Sequence, residues 1–166
     1  GYEQIQARID QLFFRQKYDT AVMLQRLSRQ VASMLDLQQL AELILDEISQ
    51  TMQINRVMLL IRDRETRHFE PLAERGFGQA EALQFKVDSP ITIWLSAGND
   101  RLTANDLALQ PHFKGLWASE RADLAAAQIE LFIGSRSGDE LVAMLALGPK
   151  RSGAAYTPDE QRTLET

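Results

Sequence analysis

Residues 140–165 read ELVAMLALGPKRSGAAYTPDEQRTLE, and a strand, a turn and a helix start follow one another within them. Leu141 to Leu147 is apolar at every position. A strand with one solvated face would alternate, so both faces of this one are predicted to be covered. Gly148-Pro149 ends it, because proline cannot donate to a ladder and glycine relaxes the backbone. Thr157-Pro158-Asp159-Glu160 has the form of a capping box. Thr157 caps, Pro158 fits the first helical position, and Glu160 reaches back to the cap amide. Asp159 and Glu160 also stand at the positive end of the helix dipole. Two helical turns are marginal alone, since nucleation is costly, so this helix is expected to continue into a downstream segment.

The closing run, with Tyr156 and Leu164, resembles the last strand and exit helix of bacterial GAF domains. Upstream pieces fit the same family in order: Asp36-Leu37-Gln38-Gln39-Leu40, Val57 to Ile61, Ser89-Pro90-Ile91 and Leu131-Phe132-Ile133. The resemblance spans residues 37–165 and implies a GAF-like, PAS-related sensory or regulatory domain. Gly134-Ser135 stands where the family often has a proline and an apolar residue, and Ala143 where glycine is common. Both departures bear on the binding face. The asparagine-lysine-phenylalanine-aspartate-glutamate signature of cyclic-nucleotide-binding relatives is missing. The chain has no cysteine, which bilin attachment and the reductase branch of the family both need.

Composition sets the frame. The chain has 166 residues, 45% hydrophobic and 25% charged, as expected of one globular domain with an appendage. Its net charge of −5 argues against nucleic acid or an anionic membrane as partner. No run approaches the roughly 20 apolar residues that cross a bilayer. Without cysteine there are no disulfides or thiolate metal sites, which suits a reducing cytoplasm.

Residues 3–35 carry a helical pattern without proline or glycine, with Ile5, Ile9, Leu12, Phe13, Met23, Leu24, Leu27, Val31, Met34 and Leu35 as its apolar positions. A strict heptad from Ile5 would put Asp19 and Arg26 in the seam. A spacing of about eleven residues aligns the apolar set better and favours a straight or slightly right-handed bundle. At about 1.5 Å per residue such a helix reaches about 50 Å. A partner helix is the expected cover, with Ile5, Ile9, Leu12, Leu24, Leu27 and Val31 at a homodimer interface. The alternative is a helix folded back on its own domain with a break at Lys17 to Thr20.

Asp36 is expected to cap a second helix, with Gln39 as box partner and Leu35 and Leu40 as hydrophobic staple. Leu37, Leu40, Leu43, Ile44, Ile48 and Met52 are its predicted buried face. Strands are predicted at Val57 to Ile61, Phe69 to Arg75, Leu83 to Val87 and Gln128 to Ile133, before the closing one. Arg62 to Arg67 reads as a charged hairpin turn and Ser135 to Asp139 as another. Ser89-Pro90 opens a short helix, Ile91 to Ala97, that Gly98 ends. Arg101 to Asn105 reads as loop or short strand, and Pro111 to Ala118 as a short helix. The pattern is α+β: a central antiparallel sheet of about six strands sandwiched by helices, with a long N-terminal helix. The boundaries fall at 1–35 for the helix, 36–156 for the GAF-like domain, and 157–166 for the start of a linker helix.

The stretch from Val87 to Leu124 is where a ligand lid would lie. Trp94, Phe113, Trp117 and Met144 are candidates to line a small-molecule cavity, with Arg136 to hold an anionic group. The plainer reading is that these aromatics fill a second core. His68 and His112 are the two histidines; a haem ligand is conceivable for either, but scattered histidines are more often hydrogen-bonded in loops. No serine sits in a nucleophile elbow, and Gly76-Phe77-Gly78 lacks the third glycine of a dinucleotide fingerprint. Glu42, Asp46 and Glu47 read as a solvated helix face, and no carboxylates show metal spacing. No cofactor is assigned.

The sequence thus points to a non-catalytic, cytoplasmic sensory domain, homodimeric through its flanking helices. It would lie upstream of an output module such as a histidine kinase, cyclase, phosphatase or transcriptional activator. The rival is a ligand-free dimerisation spacer. A PAS-type sensor is the nearest competing fold, and an enzyme a distant third.

Overall fold

A computed structural model describes residues 2–77, 83–116 and 118–165, with the side chains of residues 2, 8–18 and 119 outside the description. The chain comprises two units, Gly1–Leu40 and Ala41–Thr166.

Helix α1 spans Tyr2–Met52. It passes through Asp36, which therefore caps nothing, and Leu35 and Leu40 are exposed rather than stapled. An aspartate inside a helix costs below about 1 kcal/mol, less than the helix formers around it supply to propagation. The helix ends where Gln53 turns left-handed at φ 53. The Ile54 amide then donates to the Ser49 carbonyl at 3.1 Å, a Schellman-type closure.

The buried face of α1 also differs from expectation. Ala41 and Leu45 are buried and Ile48 and Met52 packed beside them, while Leu37, Leu40, Leu43 and Ile44 are exposed. Ala41, Leu45, Ile48 and Met52 follow one another at four, three and four, a single stripe. Ala41, small beside its leucine neighbours, carries little apolar signal in the sequence.

Five strands form one antiparallel sheet in the order β2-β1-β5-β4-β3. They are β1, Val57–Arg62; β2, Phe69–Arg75; β3, Arg101–Thr103; β4, Leu131–Ser137; and β5, Glu140–Leu147. The all-apolar strand, β5, lies at the centre between β1 and β4, with Leu145 opposite both Leu59 and Ile133. Alternation divides the side chains between two cores. Val57, Leu131, Ile133, Leu145 and Leu147 pack with Ala41, Leu45 and Tyr156. Met58, Leu60, Phe132, Met144 and Ala146 pack with the other helices.

Those helices are α2, Pro90–Ser96; α3, Ala104–Leu109; a 3-10 turn, Pro111–Gly115; and α4, Ala118–Ala127. Helix α5, Pro158–Glu165, closes the chain, and its Leu164 packs with the first core. Phe69 and Phe85 exchange two backbone hydrogen bonds, 2.8 and 3.0 Å, so the strand expected at Leu83 to Val87 reduces to one bridge among the described residues. Arg101–Thr103 resolves to a strand, the expected 135–139 turn narrows because β4 runs on to Ser137, and α4 is a helix that the apolar pattern does not announce. Pro71 stands on β2, where a missing donor is tolerated at the edge of the described sheet.

Candidate functional site

Helix α2 positions the candidate chamber. Ser89 precedes it in extended conformation, and instead of a side-chain cap the Thr92 hydroxyl donates to the Lys86 carbonyl at 2.8 Å. Gly98, at φ 103, turns the chain away, and the Asn99 amide group donates to the Trp94 carbonyl at 3.0 Å. Ile91 and Leu95 point into the core. Trp94 lies at its margin, its indole N–H donating to the Arg101 carbonyl at 3.2 Å.

The 3-10 turn meets this face. The Trp94 and Phe113 rings lie 5.3 Å apart, and His112 stands edge-on to Phe113 at 5.0 Å. His112 bonds the Pro90 carbonyl through Nε2 at 3.0 Å; the acceptor is a carbonyl, so Nε2 carries the proton. Arg121 of α4 donates to the Phe113 carbonyl. Two aromatic residues expected to line a cavity are thus together, and His112 joins them.

Phe113 and Met144 are both fully buried in one core with Leu95 and Phe132. Trp117 lies outside the described residues. Arg136, on β4, donates to the Leu95 carbonyl at the end of α2, with its Nε 3.7 Å from an Asp100 carboxylate oxygen. A cation there suits the negative end of the helix, and the guanidinium keeps further donors.

Gly134, opposite Met144 in the sheet, lies against both Leu141 of β5 and Leu95 of α2. A Cβ at this position would lie 2.9 Å from Leu141 Cδ1 and 3.6 Å from Leu95 Cβ. The separation from Leu95 is ordinary contact, so the absent Cβ makes room chiefly for Leu141 Cδ1. The departure from the family pattern noted in the sequence thus bears on the packing of Leu141.

Elsewhere, the Val87 amide donates to His68 Nδ1 at 3.2 Å, which fixes that nitrogen as an acceptor. Asp63 accepts amides of Glu65 and Thr66 in the β1–β2 turn, and those amides, Thr66 foremost, hold its carboxyl below the usual range. Asp46 is exposed and Glu42 half-buried, and both do more than face solvent: they pair with Arg75 of β2. That link left no signal in the spacing of either segment, because it joins residues about thirty positions apart.

The family model of the GAF domain matches residues 36–166. The chain belongs to the GAF domain family. Among solved structures, the GAF domain is similar to that of a GAF domain/HD domain protein from Geobacter sulfurreducens, with 13% identity, a TM-score of 0.63, and coverage of 81% of this chain and 88% of the other. It is also similar to residues 122 to 287 of a methyl-accepting chemotaxis protein, with 17% identity, a TM-score of 0.62, and coverage of 82% and 85%. The PixJ GAF domain of Thermosynechococcus elongatus, in its blue-light absorbing form, aligns at 17% identity and a TM-score of 0.59 over 80% and 81%. At these identities the likeness is one of fold. No curated protein matches the chain. No helix among the described residues is long and apolar enough to cross a membrane.

Proposed function

We propose that this GAF domain is the sensory or regulatory module of a multidomain, cytoplasmic bacterial signalling protein, of two-component or related type. It acts as a parallel homodimer whose flanking helices carry the signal to an output domain, and is itself non-catalytic. The supporting observation is the apolar stripe of α1: Ile5 is 61% exposed, Leu24 56%, Leu27 47% and Val31 54%, with Met23, Met34 and Leu35 also open. Ile9 and Leu12 of the expected interface lie outside the described side chains. Burial of such residues contributes about 1.5–3 kcal/mol each, and an exposed stripe of this length is the anatomy of an interface. A second copy of α1 presents the same stripe and forms a helical bundle with it. Charged residues at Leu27 and Val31 test this by light scattering: loss of the dimer is expected, and an unchanged mass would contradict it.

A small molecule held among Trp94, Phe113, Trp117 and Met144, with an anionic group on Arg136, is the proposed input. The second reading, a ligand-free dimerisation spacer, draws support from the complete burial of Phe113, Met144 and Leu95 against other side chains. Thermal shift against nucleotides and small metabolites, with native mass spectrometry, separates the two. Stabilisation by a compound favours the sensor; none, with the dimer intact, favours the spacer.

A further inference from the structure

The end of α1 and the beginning of α5 are tied to the same short turn, residues 148–153. On the α1 side, Ile54 and Lys150 form an antiparallel bridge. The Arg151 amide donates to the carbonyl of Gln53, the left-handed residue that ends α1, at 2.9 Å. The Arg151 guanidinium donates through Nε to the Asn55 side-chain oxygen at 2.7 Å. On the α5 side, the Lys150 ammonium pairs with Glu160 Oε1. That same oxygen accepts the Thr157 amide at 3.0 Å, and the Thr157 hydroxyl accepts the Glu160 amide at 3.2 Å, completing the capping box. Tyr156 donates its hydroxyl to the Gly148 carbonyl, and the Lys150 ammonium stands 5.6 Å from the Tyr156 ring.

Lys150 is therefore shared: its backbone stands opposite Ile54 just past the end of α1, held there by the contacts of Arg151, and its side chain serves the cap of α5. Its side chain is 13% exposed and that of Glu160 26%, so the pair is partly shielded from water. We propose that Lys150 is a coupling residue, through which displacement of the last turn of α1 changes the cap of α5 within one protomer. The route bypasses the aromatic cluster beneath α2, so the two flanking helices communicate whether or not a ligand occupies that cluster. Its regulatory role rests on the signalling function proposed above; the coupling itself does not.

The test is a double-mutant cycle read by hydrogen exchange of the α5 amides, residues 161–165, in the 166-residue protein. Asn55→Ala loosens the α1 side without touching α5, and Lys150→Met cuts the shared residue. Asn55→Ala is expected to raise α5 exchange about threefold when Lys150 is present and to leave it unchanged in the Lys150→Met background. Arg62→Met, which breaks the Arg62–Glu140 pair at the far end of β1, should leave α5 exchange unchanged. Should Lys150→Met fail to fold, Glu160→Gln removes the charge of the same pair from the more exposed side while keeping the capping box. Equal effects of Asn55→Ala in both backgrounds, or none in either, would overturn the coupling. Light scattering on the same samples reads the dimer separately, so loss of one reading is not mistaken for loss of the other.

Discussion

Arg75 on β2 holds Asp46 on α1 through a 2.8 Å bond from Nε to Oδ1, and the same guanidinium pairs with Glu42 one turn earlier. One planar cation thus spans two carboxylates on a helix face. Their hydrogen bonds, Asp46 first, hold the guanidinium above its ordinary pKa. All three side chains keep contact with water, so Arg75→Met should cost only about 1 kcal/mol in urea unfolding. The loss should shrink in about 1 M salt, where such charges are screened.

The two faces of α1 around Leu45 should respond differently. Leu45→Ala removes a fully buried side chain and should cost about 2–5 kcal/mol. Leu43→Ala, at a side chain 67% exposed, should change the stability of the protomer by less than about 0.5 kcal/mol. Equal losses would mean that the face assignment is wrong. Chemical denaturation of both variants settles it.

Gly76 should tolerate no side chain. It sits at φ 79, and a Cβ there would overlap the Asn55 carbonyl oxygen. Gly76→Ala must therefore strain its own backbone and displace the α1–β1 junction, with an expected loss above about 2 kcal/mol. Gly98→Ala, at φ 103 but with open space around the Cβ position, should cost less. Thermal unfolding of the pair separates steric from conformational cost.

Glu160 should make the protein acid-sensitive. The Lys150 hydrogen bond, followed by the Thr157 amide, holds its carboxyl below the ordinary value of 4.5. The folded protein then binds this proton less tightly than the unfolded chain does. The stabilisation is complete above about 4.5 and is lost as pH falls through the lower folded value. The urea midpoint of Glu160→Gln should therefore change less than that of the wild type between about pH 5 and pH 3. Parallel pH profiles would show that Glu160 contributes no such linkage.

The elements legible in the sequence were those whose local and tertiary signals agree. The run Leu141 to Leu147 is apolar throughout because β5 is central and covered on both faces. Thr157 and Glu160 form the capping box their spacing announces. The box at Asp36 misled because a capping pattern inside a chain without proline or glycine competes with propagation, and propagation won. Helix α4 is not legible because its sequence, ASERADLAAA, has little apolar periodicity beyond Leu124. In the candidate site, aromatic content marked Trp94 and Phe113 as candidates, while their contact is read only from the structure. The part played by Gly134 could not be anticipated, since its close contact with Leu141 is a property of packing and leaves no local pattern.

The central claim is that α1 stripes from two protomers pair in parallel. Because the chain has no cysteine, Leu27→Cys introduces a single labelling site. A spin label at that position should show strong dipolar broadening of its frozen continuous-wave EPR spectrum, relieved by dilution with unlabelled chain, since packed helices lie about 8–10 Å apart. The same pairing predicts disulfide-linked dimer on mild oxidation. No dipolar coupling between labels, with light scattering reporting a single-chain mass at micromolar concentration, would contradict it.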